Sequence, residues 1–297
     1  MNQKAWNAEV ELNQYGYYQL VNPPSADELS DYYAGNYYQQ QESLYSKRYD
    51  DIDLNHLQQK IQQKDRILEQ AGISGTGRRL LDVGCGEGFT LKYFQRKGWQ
   101  VTGLDMSSFG CETHNPECLP NLIQADIYES LDSLEKENTK FDVVWLDNVL
   151  EHVLDPLDLC KRCQSLLFDD GAVVVEVPND FSAIQLAALE DNLVDHAFWL
   201  ARPDHISYFN RDGLVSLAEQ AGLTPFRIIA DFPIDFALFN RHTNYVRDPK
   251  LGNTVHQARV AIEDLLHQQS VDQTNDLYEA MAAMGLGRQI VAFFEND

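Results

Sequence analysis

No apolar run in the chain approaches the ~20 residues that crossing a bilayer requires. The first residues, Met-Asn-Gln-Lys-Ala-Trp-Asn, lack the basic-then-apolar order of a secretion signal. Basic charge is scarce: 23 Lys and Arg stand against 46 Asp and Glu, a formal net charge of −23. Such a surface repels a phosphate backbone, which argues against nucleic acid as substrate or partner. Cysteine is scarce too, and its number, five, is odd. That fits a reducing compartment better than a disulfide framework. Together these absences predict a cytoplasmic protein with no membrane span. The 44% of hydrophobic residues over 297 positions is still enough for a substantial core.

The cysteines also make a poor metal site. Cys160 and Cys163 form a C-x-x-C, but they lie in Leu157–Leu167, an amphipathic helical pattern. Cys111 and Cys118 flank His114 at a spacing wider than the roughly two to four residues of a zinc knuckle. The thiols read as incidental, and no residue is assigned as a metal ligand.

Residues 80 to 90 read Leu-Leu-Asp-Val-Gly-Cys-Gly-Glu-Gly-Phe-Thr. An apolar strand arrives at Asp82, and Gly84, Gly86 and Gly88 then let the backbone approach a ligand closely. The helix that follows turns its free N–H groups towards that ligand. A dinucleotide fingerprint, G-x-G-x-x-G, needs its third glycine where Phe89 stands. A pyrophosphate also has no use for a carboxylate at Asp82, whereas a ligand with an amino group and a positive centre does. From Arg79 onward, strand and helix patterns alternate. Strands are predicted at Arg79–Val83, Gln100–Leu104, Asn121–Ala125, Phe141–Leu146, Gly171–Val177, Pro225–Ala230 and Gln289–Phe294. The order implies an α/β fold with a mostly parallel sheet and helices on both faces. Four successive strands end at or beside an aspartate: Asp82, Asp105, Asp126 and Asp147. Ligands of open α/β sheets bind at that edge, although Asp favours turns and helix starts for other reasons.

This D-x-G-x-G-x-G pattern resembles motif I of the class I S-adenosylmethionine (AdoMet) methyltransferases. The resemblance implies a seven-stranded Rossmann-like sheet. It places Asp105 on the ribose hydroxyls, with Met106 flanking the adenine. It places Asp126 and Ile127 at the adenine amino group, and Asp82, Gly84, Cys85, Gly86 and Gly88 at the methionine part. Asp147 and Asn148, at the next strand end, complete the expected cofactor-binding set. AdoMet is then the cofactor and S-adenosylhomocysteine the product.

After the fourth strand the chain reads Asp147-Asn148-Val149-Leu150-Glu151-His152-Val153-Leu154-Asp155-Pro156. Leu150 to Pro156 resembles the L-E-H-V-x-D-P signature of the ubiquinone-biosynthesis O-methyltransferase-like (type 11/type 23) branch. Asn148, Glu151 and His152 are expected on one face of a helical turn. His152 is the first candidate base, since an imidazole pKa of about 6.5 suits proton transfer near neutrality. A purely capping role for Glu151 and His152 remains open. In the quinone enzymes the matching face holds a divalent metal through two glutamates and the histidine. Here Asn148, a weaker ligand, replaces the first acid, which argues against a required metal. A second segment, Trp199 … Pro203-Asp204-His205-Ile206-Ser207-Tyr208-Phe209, resembles the same group. It adds His205, and less strongly His196, to the candidates facing the acceptor; packing under the following helix is the alternative.

The expected organisation is an N-terminal helical lid (1–74), an AdoMet-binding core (75–239), a helical insert (240–286) and a last core strand (287–297). The lid carries Tyr45 and Arg48 as candidate contacts to the cofactor carboxylate. The insert walls the acceptor pocket or makes a homodimer contact. Asn22-Pro23-Pro24-Ser25 matches the order of a permuted DNA methyltransferase motif but lacks its aromatic. With Glu28 it reads as a helix-start capping box instead. The reading is a methyltransferase acting on oxygen of a small metabolite or sugar derivative. N- or C-methylation, a noncatalytic AdoMet-binding subunit and an NAD-dependent oxidoreductase are the alternatives.

Overall fold

The structure is a computed structural model that describes residues 8–25, 28–29 and 49–297. Tyr45 and Arg48 lie outside the described residues. The central sheet has seven strands: β3 (Arg79–Val83), β4 (Gln100–Asp105), β5 (Leu122–Gln124), β6 (Phe141–Asp147), β7 (Leu167–Pro178), β9 (Leu223–Ala230) and β10 (Gln289–Asn296). Their spatial order is β5-β4-β3-β6-β7-β10-β9. All neighbours pair in parallel except β10, which runs antiparallel to both β7 and β9. All seven predicted strands are present. β7 starts four residues before its predicted Gly171, because Phe141 pairs with Leu167 ahead of a register shift.

Buried parallel strands carry apolar residues on both faces, and both faces here are covered. On one, Leu81, Val83, Val144, Leu146, Val173 and Val175 pack in a cluster with Leu131, Leu159 and Leu217. These last come from α4 (Ile127–Lys136), α5 (Pro156–Ser165) and α7 (Arg211–Gln220). On the other face, Leu80, Val143, Trp145 and Val174 cluster with Leu68, Phe94 and Tyr278. Those belong to α1 (Asp51–Gln70), α2 (Phe89–Arg96) and α9 (Val271–Ala283). Helix starts follow from capping: Asp126 caps α4, Asp155 caps α5 ahead of Pro156, and Asn210 caps α7. Ser25 and Glu28 also form the reciprocal box their spacing predicts.

Before α1 the chain departs from an all-helical lid. Val10–Leu12 (β1) and Tyr18–Leu20 (β2) form an antiparallel hairpin, and β2 pairs with Ser207–Tyr208 (β8). The turn is set by Asn13 and Gly16, the glycine at φ +90°. The strands are only three residues each, too short to show alternation against a polar, tyrosine-rich background. Between β9 and β10 lie α8 (Gly252–Gln269) and α9. Both helices meet α1 through Gln59–Asp264 and Arg66–Asp272 hydrogen bonds. No helix among the described residues is long and apolar enough to cross a membrane.

Candidate functional site

At the carboxyl end of β3, the glycines are required for two reasons. Gly84 and Gly88 hold φ of +71° and +75°, where a side chain is strained. Neighbours also close in: a Cβ on Gly84 would stand 2.6 Å from Val149 Cγ2, and one on Gly88 2.6 Å from Cys111 Sγ. Asp105, ending β4, accepts from Gly86 N and Ser107 N at 2.9 Å each, one bond per carboxylate oxygen. The carboxylate is thereby aimed and still has lone pairs for two further donors. Burial pushes Asp105 above the usual carboxylate range, against the pull of those N–H groups. Met106 beside it is exposed. Asp126 spends one oxygen capping α4 on Tyr128 N and Glu129 N, and Ile127 opens that helix half-buried. Asp82 is buried, and desolvation followed by nearby Asp147 raises its pKa well above normal.

The β6 end is organised by residues distant in sequence. Lys64 of α1 reaches Asp147 at 2.6 Å and also bridges to Glu176 on β7, while Lys60 meets Glu176 at 3.2 Å. Desolvation works against the Glu176 charge, yet the two lysines hold its pKa down at about 2. Asn148 does not share a helical face with Glu151 and His152. Its φ is +54°, so the chain turns before the short 3₁₀ segment Leu150–His152. Its side-chain oxygen instead accepts from Gln289 Nε2 at 3.3 Å. The face that carries two glutamates and a histidine in the quinone enzymes is thus not formed, since Asn148 replaces the first acid and its side chain is turned to Gln289.

Glu151 and His152 are joined instead by His205. Ile206 N donates to Glu151 O at 2.8 Å, and Leu20 N of the hairpin donates to Ile206 O at 3.0 Å. Those two bonds lay the long connection after β7 across the β6 end. The His152 and His205 rings then meet edge to face, with centroids 4.9 Å apart. His152 Nδ1 lies 2.9 Å from Asp204 O and 3.3 Å from Asp204 Oδ1, and Nε2 lies 3.8 Å from Glu151 Oε1. Burial opposes a charged His152 ring, but Asp204 and Glu151 outweigh it and raise its pKa. Burial, then His152, lowers His205 to about 4. Glu151 is pushed up to about 8, mainly by desolvation. His196 is exposed beside Asp195, away from this cluster. Asp204, Glu176, Lys60 and Lys64 have no motif of their own, and the sequence reading missed them. Only the position of Asp204, one residue before the candidate His205, could have drawn attention to it.

A family model for a methyltransferase domain matches residues 54–227. The chain belongs to the class I AdoMet-dependent methyltransferases. A ubiquinone biosynthesis O-methyltransferase from Actinobacillus pleuropneumoniae is 33% identical over 118 residues, 38% of this chain and 50% of that protein. The protein of the same name from Yersinia enterocolitica is 34% identical over 117 residues, 39% of this chain and 48% of that protein. The chain thus spans about half the length of these curated relatives. Among solved structures, a putative sarcosine dimethylglycine methyltransferase from Galdieria sulphuraria matches with a TM-score of 0.52 at 14% identity. The match covers 90% of this chain and 97% of that one. That likeness is one of fold.

Proposed function

We propose that this methyltransferase moves the methyl group of AdoMet to an oxygen of a small polar acceptor. The Glu151–His152–His205 cluster, set at the carboxyl end of β6 beside the glycine loop, carries this reading. In it, Asp105 takes the ribose hydroxyls, Met106, Asp126 and Ile127 frame the adenine, and the Gly84–Gly88 loop with Cys85 and Asp82 lies along the methionine part. Asp147 and Asn148 line the same end of the site from β6. Transfer is an in-line displacement. The acceptor oxygen forms a bond to the methyl carbon, the carbon–sulfur bond breaks, and its electron pair neutralises the sulfonium to give S-adenosylhomocysteine. The acceptor hydroxyl loses its proton to His152 Nε2. Asp204 supports that step by holding Nδ1 as a donor and stabilising the imidazolium. His205, kept neutral by burial, and Glu151 wall the acceptor side. Within the 1–74 segment that precedes the 75–239 core, α1 closes over this edge as a lid, and the 240–286 insert walls the acceptor pocket or makes a homodimer contact; the α1 contact to α8 and Lys64 at Asp147 support that arrangement.

The reading is tested with methyl-labelled AdoMet and a fractionated metabolite extract. The expected result is label in a low-mass, alkali-stable ether, lost in His152→Ala with AdoMet binding retained. Label in an amine, or transfer untouched by His152→Ala, overturns it.

A further inference from the structure

We propose that Arg288 and Asp180 anchor the acceptor, and that the molecule they hold is a neutral polyhydroxylated ring with adjacent hydroxyls, of the carbohydrate or cyclitol class; this rests on the reading of the β6–β7 end as the acceptor side. Asp180 follows β7 and Arg288 precedes β10, whose antiparallel course sets Gln289 opposite Pro178. Asn179 N donates to Arg288 O at 2.9 Å, and Arg288 N donates to Asp231 Oδ1 at 2.7 Å. Asp180 N donates to Phe209 O at 2.8 Å, which ties the carboxylate to the segment that carries His205. The Asp180 charge helps to raise Glu151, and the Arg288 charge helps to lower His205. The pair and the base cluster therefore share one neighbourhood.

The two side chains meet through a single contact. Arg288 Nη1 donates to Asp180 Oδ1 at 3.1 Å, the guanidinium's one hydrogen bond among the described residues. A guanidinium has five N–H groups, and a pair that served only to join β7 to β10 would close its fork on both carboxylate oxygens. Instead Asp180, its side chain 1% exposed, keeps Oδ2 buried without a partner, while the Arg288 side chain stays 25% exposed. Asp235, the other acid acting on Arg288, takes its hydrogen bonds from Tyr245 and Gln185. Orphaned buried acceptors are costly, and this one stands beside unused donors.

That combination selects the ligand. A hydroxyl both donates and accepts, so it can give its proton to Asp180 Oδ2 while its oxygen takes an N–H of Arg288. Gln289 Oε1 and Asp231 Oδ2, next along the same edge, are also buried acceptors without partners, suited to further hydroxyls. An anion would join Asp180 and Asp235 against one guanidinium, and an ammonium would face that guanidinium directly. A neutral polyol meets neither repulsion.

The test uses the full chain with S-adenosylhomocysteine added and saturation-transfer NMR on a panel of neutral monosaccharides and inositol at millimolar concentration. The expected result is transfer to the ring protons of at least one of them. Arg288→Ala and Asp180→Ala each weaken that binding at least about tenfold, and the surface variant His196→Ala leaves it unchanged. Arg288→Lys, which keeps the charge and loses the fork, replaces Arg288→Ala if the latter fails to fold by circular dichroism, with the same loss expected. Absence of transfer to every polyol, binding indifferent to both substitutions, or equal transfer to benzoate overturns the proposal. Binding is read here without methyl transfer: polyol binding with the methyl label found in an amine overturns the oxygen reading alone, and label in an ether with no polyol bound overturns the anchoring pair alone.

Discussion

At the β3–β4–β5 end of the sheet, the groups facing the proposed cofactor site come from residues 82 to 127, each at a strand end or the start of the next helix. At the β6–β7 end, the polar groups come from α1, β6, β7, the connection before β8 and the start of β10, residues 60 to 289. The first end is fixed by bonds from backbone N–H groups to strand-end carboxylates, such as Gly86 N to Asp105 Oδ2. The second is held by ion pairs and loop pairings between segments far apart in the chain. The difference teaches where the enzyme family can vary. An edge written in contiguous motifs, the proposed cofactor edge, has few positions free to change, whereas the proposed acceptor edge can be altered from any of several remote segments.

The sharpest way to break the comparison is at His152. If the second end does chemistry and the first only holds cofactor, His152→Ala lowers kcat by about 10²- to 10⁴-fold, the usual worth of a general base. AdoMet affinity, read by calorimetry, stays within about twofold. A matching loss of AdoMet affinity would merge the two ends into one site.

Legibility in the sequence followed the same division. The strands and the glycine turn could be read because their apolar runs and glycine spacing are local; Asp105 was visible as a strand-end acid, but not its bond to Gly86 N. The pairing of Glu151 and His152 with His205 could be suspected, since both segments carry recognisable patterns. Their joining depends on two backbone hydrogen bonds, Ile206 to Glu151 and Leu20 to Ile206, that no local pattern encodes. Asn148 was misplaced for a related reason: a spacing of three and four residues implies a shared face only if the backbone is helical throughout, and its left-handed φ interrupts the turn. Lys64 was invisible because a lysine in an amphipathic helix normally reads as solvated, yet it is buried against Asp147 and Glu176.

Glu176 tests how far the second end depends on such remote charges. Glu176→Gln leaves Lys60 and Lys64 short of a buried counter-charge, and breaking a pair of this kind costs about 3–5 kcal/mol. The sign with pH follows from its depressed pKa. The wild-type advantage is complete above the ordinary carboxylate pKa of 4.5 and is lost as pH falls towards about 2. Urea melts at pH 7 and pH 3.5 should therefore show a gap between wild type and variant that narrows in acid. A gap that widens in acid would mean Glu176 is not held ionised by the lysines.

At the first end the corresponding change is Gly84→Ala. The added Cβ meets Val149 Cγ2 at a φ that disfavours any side chain. A cost of about 1–3 kcal/mol is expected, with AdoMet affinity down at least about tenfold. Stability lost with affinity intact would show that the loop's shape serves the fold and not the cofactor.

The smallest expected effect bears most directly on how the second end is assembled. Leu20→Pro removes the N–H that Leu20 donates to Ile206 O, one link in the chain from the hairpin to Glu151. A single such bond contributes about 1 kcal/mol, so kcat/KM for the acceptor should fall about five- to tenfold through poorer placement of His205. AdoMet affinity should not follow, because no hairpin residue touches the glycine loop through any hydrogen bond among the described residues. Leu20→Ala keeps the N–H but trims a buried side chain, so it separates the bond from the packing. If Leu20→Ala lowers kcat/KM as much as Leu20→Pro does, packing of the hairpin on Trp199 and Tyr208 positions His205, and the backbone bond does not.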